Sequence, residues 1–337
     1  MKDAHDRMPL AAPGMRRRSL LGMTVLGALA ASHTVMAQEK PADYPSKPIK
    51  LIIPYTPGAA TDNISRAFAQ ELGKIVGQPV VVENRPGGAT VVGTLAVKSQ
   101  PADGYTLLVH AEGFYTAKMN TPNVEYEFSD FEIVAPLAQI SYILAVPGDR
   151  GWNRIEDLKG LNREFDFATL DFGVGTYSML ASKVATALGI RYRTIPFKGS
   201  SEGVAALLSG QIDGTFTSLG TMKGFKDSSK VKLLASTGRP GGPEFLPGLK
   251  TFTELGMPDV LFQTSTILSV RTGIPAPVRD YLFRAVRQAN ASEAMKTARQ
   301  NLMLDEYPGS LDDFKRDTNR VVKDFEAMAA KLAKTAK

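Results

Sequence analysis

The chain has 337 residues, 43% of them hydrophobic and 22% charged, with 40 Lys/Arg against 34 Asp/Glu. That is a globular composition with room for two domains. It has no cysteine, which excludes disulfides, thiolate nucleophiles and thiolate metal sites.

Residues 1–37 read as an export signal. Arg16, Arg17 and Arg18 precede an apolar stretch of twelve residues, Leu20 to Ala31, where a bilayer span needs about 20. Val35-Met36-Ala37 offers small residues for cleavage near Ala37. RRRSLLG is similar to a twin-arginine signal but lacks the Ser/Thr usually found before the arginine pair, so the Sec route stands beside it. An uncleaved anchor is the competing reading, and Met15 is an alternative start. The leader holds five Lys/Arg, two Asp/Glu and two of the three histidines, so the remainder carries a net charge of +3 and one histidine, His110. A lone histidine without cysteine leaves no Cys-His pair and no multi-histidine zinc site. Basic residues are scattered, so no nucleic-acid partner is expected.

After the leader, short apolar runs alternate with helical patterns, the signature of βα units and a largely parallel sheet. IKLIIPY (49–55) reads as a buried strand. A helix follows, capped by Thr61 or Asp62, with Ile64, Ala67, Phe68 and Leu72 on one face, and it stops at Gly77 and Pro79. PVVVEN (79–84) is a strand, RPGGAT (85–90) a turn, Val91 to Lys98 a short helix and GYTLLVHAE (104–112) a third strand. His110 within it reads more readily as a packed or hydrogen-bonded strand residue than as a functional one. From Ile133, VAPLAQISYILAVPGD is long and apolar, a strand passing into a second domain.

The alternation then restarts. FDFAT (165–169) is a strand, DFGVG (171–175) a loop, and Thr176 to Leu188 a helix ended by Gly189. YRTIPF (192–197), IDGTFTS (212–218) and KLLAST (232–237) are strands, with helices over about 202–209 and 221–227. FQTSTILSVRTG (262–273) crosses back, and the tail from about 276 to 334 is helical apart from LMLDEYP (302–308). Two crossings predict an α/β fold of two lobes, 44–143 plus 265–337 against 144–264, joined by hinge strands with a cleft between them.

Three small-residue loops sit at predicted strand ends: PYTPGAATD, DFGVGTYS and FKGSSEG. A loop that ends in a helix N-terminus presents free N–H groups and partial positive charge, and in open α/β sheets that edge binds ligands. None is a Walker or GxGxxG motif. A cleft for a small anion follows. Asp62 reads as a helix cap rather than a contact to an anion. Lys198 reads equally as a solvated lysine or a cleft residue. Tyr55, Phe114, Tyr115, Phe172 and Tyr177 are candidates for an apolar wall, although each is individually more often core.

The segments YPSKPIKLIIPYTPGAATD, GQPVVVENRPGGAT, PADGYTLLV and TIPFKGSSEGVAALLSGQID together resemble the Bug family. These are the extracytoplasmic solute receptors of tripartite tricarboxylate transporters, and the match runs from about Tyr44 into the C-terminal helices. The resemblance implies a two-lobed type II periplasmic-binding-protein fold and a monomeric periplasmic receptor without cofactor or metal. Its partners would be a small carboxylate and membrane transporter subunits. The family's ligands meet main-chain and hydroxyl groups, often through water. Carried over, the contacts are Thr56, Pro57, Gly58, Ala59, Ala60, Thr61 and Asp62 in the first lobe. In the second they are Thr169, Gly175, Thr176 and Tyr177, with Lys198 and Gly199.

This chain departs from the family pattern in three places. The glycine triplet is Gly58-Ala59-Ala60. The second-lobe loop is TLDFGVGTY, which brings Phe172 and Tyr177. The motif after GQID reads FTSLG, with Thr217 and Ser218. With Phe114, these changes suggest a more apolar ligand, such as an aromatic acid. A sensor for a two-component system is the alternative. An exported enzyme is not expected, because no GxSxG elbow is present.

Overall fold

The computed structural model describes residues 41, 43–171, 173–197, 200–225, 228–241 and 246–335. The export signal expected over residues 1–37, and the candidate site residues Phe172, Lys198 and Gly199, lie outside them.

The first βα units follow directly from the side-chain periods. Strand β1 (Ile49–Ile53) alternates faces: Leu51 and Ile53 enter one core, and Ile52 enters another. Helix α1 (Ala60–Val76) buries Ile64, Phe68, Leu72 and Val76, each four residues on from the last, which puts them on one face. It ends at Gly77, whose φ of +72° is the left-handed conformation that glycine adopts without a Cβ clash. Strand β2 (Val80–Asn84), helix α2 (Val91–Lys98) and strand β3 (Thr106–His110) complete the unit. Both β2 and β3 run parallel to β1.

Helix α3 (Gly113–Asn120) was not legible in the sequence. Phe114, Tyr115, Thr116 and Ala117 are all buried. Four consecutive buried residues carry no 3.6-residue period, so a short helix wedged between layers leaves no amphipathic trace.

Strand β4 (Phe131–Pro147) is 17 residues long. The second half then repeats the plan with β5 (Phe165–Thr169), α4 (Thr176–Leu188), β6 (Tyr192–Pro196), α5 (Ser200–Leu208), β7 (Gly214–Ser218), α6 (Leu219–Met222) and β8 (Val231–Ser236). Strand β9 (Gln263–Arg271) returns to the first half, followed by α7 (Ala276–Asn290), α8 (Glu293–Leu302) and α9 (Leu311–Thr335).

The strand order is β2-β1-β3-β9-β4-β7-β5-β6, with β8 also paired on β4. Read by halves, this is β2-β1-β3-β9-β4 and β6-β5-β7-β4-β8. Each half has three parallel strands in the order second, first, third. An antiparallel crossing strand and one further strand follow. β4 serves both halves, pairing with β9 over Phe131–Ser141 and with β7 from Tyr142 to Ala145. Its register shifts at Ile133/Ala135 and Pro136/Ala138. Pro136, which has no N–H to give, falls at such an irregularity, where a strand proline is tolerated.

Each half has a core on both faces of its sheet. β1, β3 and β9 bury Leu51, Leu107 and Leu268 under α1 and α7, while Leu108 and Phe114 face the other way with Phe314 of α9. In the second half Phe165, Phe167 and Phe216 pack under α4, and Ala145, Ala168 and Leu207 fill the opposite face. Helix α9 spans both halves, with Phe314 in a core of the first and Phe325 in a core of the second. Phe325 is fully buried, 6.2 Å from the ring of Phe262. Phe325→Ala is expected to cost about 3–5 kcal/mol. Urea denaturation should show it as a lower midpoint at unchanged slope.

Candidate ligand-binding cleft

The topology brings two sheet edges together. His110, the last residue of β3, pairs with Ile267 of β9, and Ser218, the last residue of β7, pairs with Tyr142 of β4. Between these points β4 and β9 run as an antiparallel ribbon, Ala138–Ser141 against Thr266–Gln263. The carboxyl edges of both half-sheets therefore face each other across that ribbon.

Each edge also carries a switch point. The helix after β1 packs on one face of its sheet, and the helix after β3 packs on the other. In the second half α4 lies over Phe165 and Phe167, while Met222 of α6 lies on the opposite side. A crevice opens at the carboxyl end where successive helices leave in opposite directions, and ligands bind there. The loops at the two crevices are 54–59 with 111–112, and 170–175 with the start of α6.

In the first loop, Thr56 to Ala60 are exposed, and Thr61 and Tyr55 are half-buried. Gly58 adopts φ +88° beside open space. The Tyr55 hydroxyl accepts the Ala111 N–H at 3.1 Å, tying the end of β1 to the end of β3. The N-cap of α1 is Ala59, and neither Thr61 nor Asp62 takes that place. Asp62 instead reaches back from inside the first turn to accept the Gly58 N–H at 2.9 Å. It also accepts from Arg66 Nε at 2.9 Å and Asn84 Nδ2 at 2.8 Å.

The second loop repeats the device. Asp171 accepts the Tyr177 N–H at 2.8 Å and the Ser178 N–H at 3.2 Å, and it also takes the Ser178 hydroxyl. Gly175 is needed for close approach, since a Cβ there would lie 2.4 Å from the Asp171 carboxylate. In the second half the helix amides expected to await a ligand are thus held by the protein's own carboxylate, whereas in the first Asp62 takes a loop amide ahead of the N-cap. What remains open includes hydroxyls: Thr176 and Thr217 are buried, and among the described residues neither Oγ1 has a hydrogen-bond partner. Thr169 donates to the Asp171 carbonyl at 3.4 Å, and Ser218 shares a hydrogen bond with Thr221 at 3.0 Å.

The aromatic candidates separate. Tyr177 stands edge-on to Tyr142 at 5.6 Å, near the ribbon. Phe114 belongs instead to the core beneath α9, against His110 at 4.3 Å and Tyr126 at 5.0 Å. His110 is buried, Nε2 lies 2.9 Å from Ser269 Oγ, and burial pushes its pKa down to about 3. It is a neutral, packed strand residue. Among the described residues no group of three or more His, Asp or Glu is placed to hold a metal, and no helix is long and apolar enough to cross a membrane.

Three residues at the edges were missed. Glu112 is the N-cap of α3 at the first switch point. Burial pushes its carboxyl up, and Asp171 adds to the effect. Burial also raises Asp171 itself, against the pull of Ser178 and Tyr177. Asn120, at the other end of α3, donates to the Val174 carbonyl at 2.7 Å and accepts its N–H at 3.1 Å, joining the two halves. The signal for Glu112 was an acid closing the apolar run YTLLVHAE.

The family model for the tripartite tricarboxylate transporter family receptor matches residues 64–334. The chain belongs to this family. A "UPF0065 protein in tcbD-tcbE intergenic region" from Pseudomonas sp. (strain P51) is 29% identical over 316 residues, 90% of this chain and 92% of that one. BugT of Bordetella pertussis is 27% identical over 283 residues, 82% of this chain and 86% of its own. Among solved structures, a TctC solute-binding protein from Polaromonas superposes with a TM-score of 0.73 at 24% identity, covering 86% of this chain and 99% of that one. MatC from Rhodopseudomonas palustris, with bound malate, gives 0.66 at 20% identity, over 85% and 100%. Another R. palustris protein, with adipate, gives 0.66 at 24%, over 87% and 97%. The fold is that of the periplasmic solute-binding proteins, as the resemblance implied.

Burial alone would push the Asp62 carboxyl up, but Arg66, the Gly58 amide and Asn84 together hold it below its ordinary 3.8. A carboxylate depressed on folding stabilises above the unfolded value and loses that contribution as pH falls through the folded one. Asp62→Asn is expected to cost about 1–3 kcal/mol at pH 7. Thermal melts of both proteins should converge as the pH drops below about 3.8.

Proposed function

We propose that this chain is a periplasmic receptor that captures a small carboxylate in the cleft between its halves and delivers it to a tripartite membrane transporter. The observation that carries the reading is the pair of switch-point crevices, opposed across the β4–β9 ribbon, in a chain of this receptor family. Two proteins of the same fold hold dicarboxylates, malate in one and adipate in the other. The division into lobes at 44–143 plus 265–337 and 144–264 accords with the change of β4 partners at Ser141/Tyr142.

In this reading the carboxylate lies over the exposed main chain of Thr56–Ala60, whose first-turn helix amides include some with no intrahelical acceptor. The unpartnered hydroxyls of Thr176 and Thr217 approach it from the second half. Lys198, Gly199 and Phe172 belong to the same edge by sequence. The tyrosines beside the ribbon favour a ligand with an apolar or aromatic body over a compact tricarboxylate.

A thermal-shift series with malate, adipate, citrate and benzoate tests the proposal. A ligand at 100 times its Kd stabilises the folded state by about 2.7 kcal/mol. At least one acid should raise the melting temperature, and no rise with any of them would reject the reading. A second test addresses the first loop alone. Ala60→Glu places a negative charge at the exposed start of α1 and should weaken the best acid at least ~10-fold, worth about 1.4 kcal/mol, with the ligand-free melting temperature nearly unchanged. Full affinity in that variant would remove the loop from the site.

A further inference from the structure

The first half holds a cavity of about 390 Å³ away from its carboxyl edge, between α9 and the sheet face that carries α3. Phe131, Glu132 and Ile133 of β4 border it, and they pair with Arg271, Val270 and Ser269 of β9. Leu107 and Leu108 of β3 pair with the same Val270 and Ser269. The cavity thus lies toward the start of β4. Ser141, where β4 leaves the first half, is roughly 25 Å farther along that strand at about 3.3 Å per residue. Tyr115 is the one lining residue shared with a smaller cavity, of about 150 Å³, beside the β4–β9 ribbon.

Rings make most of the wall. Phe114 lies 5.0 Å from Tyr115 and 5.5 Å from both Phe128 and Phe131, and all four border the cavity. Helix α9 closes the space with Lys315, Asn319 and Val322, spaced four and three residues apart on one helix face. Several polar groups at the cavity are already engaged. Ser269 Oγ lies 2.9 Å from His110 Nε2, Thr272 donates to the Ser129 carbonyl at 2.8 Å, and Glu132 pairs with Arg279 at 3.0 Å. Three others are not. Among the described residues no acid pairs with Lys315, although its α9 neighbours Arg316 and Arg320 pair with Asp313 and Asp317. The Tyr115 hydroxyl, on a residue only 6% exposed, and the Asn319 amide likewise have no hydrogen-bond partner among them.

An ammonium group offers only donors, and a hydroxyl and an amide can donate to the same acceptor. Small-molecule sites are apolar spaces of about 300–1,000 Å³ with a few placed polar groups. An apolar group that displaces loosely held water from such a space gains affinity. We propose that the cavity under α9 is a second binding site, separate from the cleft, for a small amphiphilic anion. Its single ring or short acyl chain lies among the aromatic rings, and its one anionic head meets Lys315 and the Tyr115 hydroxyl. The assignment goes beyond the cleft reading and does not depend on it.

Calorimetric titration of the protein with 3-phenylpropionate and octanoate, and with the uncharged amide of each, tests it. At least one acid should bind at a site that persists in Ala60→Glu. Its amide should bind there about tenfold more weakly, the lower end for a hydrogen bond to a charged group. Lys315→Met keeps an apolar stem and removes the charge, so it should bring that acid down to the level of its amide. Val322→Trp fills the cavity and should abolish binding of both. Lys315 is half-buried on the helix surface, so its variant keeps the test decisive should Val322→Trp fail to fold.

The assignment falls if neither acid binds, if each amide binds as well as its acid, or if Lys315→Met leaves the preference for the acid unchanged. It also falls if Ala60→Glu removes all binding of both acids, which would put them in the cleft. The cleft reading is decided separately, by the melting-temperature series and by the acid whose affinity Ala60→Glu changes.

Discussion

The structure depends on one strand that belongs to two sheets. β4 ends the first half-sheet as a neighbour of β9 and then lies between β7 and β8 in the second. A strand can do this because its backbone donates and accepts on both sides, and β4 changes partners along its 17 residues. Once it leaves the first half, the polar groups facing its ribbon need partners of their own. Ser141 donates to Asp305 at 2.6 Å and Gln263 donates to Ser141 at 2.8 Å. Gln139 exchanges main-chain bonds with Asp305 at 2.8 and 2.9 Å. The ribbon is thus a polar belt between four apolar cores, and it holds the two carboxyl edges opposite one another. Every feature of the cleft inherits its position from that crossing.

Electrostatics then decides what the edges can bind. A helix N-terminus attracts an anion through its free amides and its dipole. Here α4 receives that anion from within, as Asp171 takes its first amides, while Asp62 in the first turn of α1 takes the Gly58 amide ahead of that helix. Asp62 is embedded among donors and stays easily ionised, whereas Asp171 is more desolvated and its carboxyl rises. An acidic ligand arriving near Asp171 and Glu112 meets two like charges unless something offsets them. The offset has to come from groups such as the threonine hydroxyls, from the far side of the cleft, or from the ligand itself. Self-capping therefore preorganises the loops at neutral pH and makes the second-half edge a poorer anion site than its glycines suggested.

The general plan was legible because periodicity and punctuation both report on backbone. The six parallel strands, the two crossing segments and the stops at Gly77 and Gly189 all announce themselves through apolar runs and glycines that can adopt positive φ. Helix α3 was illegible because it is buried on nearly every side. The candidate loops were placed at the right edges by topology, but their chemistry was misjudged. Sequence shows that a Gly-rich loop precedes a helix, and it does not show that an aspartate six residues before Tyr177 will fold back onto that residue's amide. Asp171 looked like one more loop residue. Glu112 looked like the end of a strand, since nothing local marks it as the N-cap of a buried helix.

That blind spot lies at a junction between the two halves. α3 is anchored by Phe114 and Tyr115 in the aromatic core and by Asn120 against Val174. Glu112 makes no side-chain cap bond to the helix it begins, whereas Ser292 accepts such a bond at the head of α8. Tyr55 and Tyr142 are bound into the scaffold through Ala111 and Thr264. Those bonds fix the two edges that border the cleft.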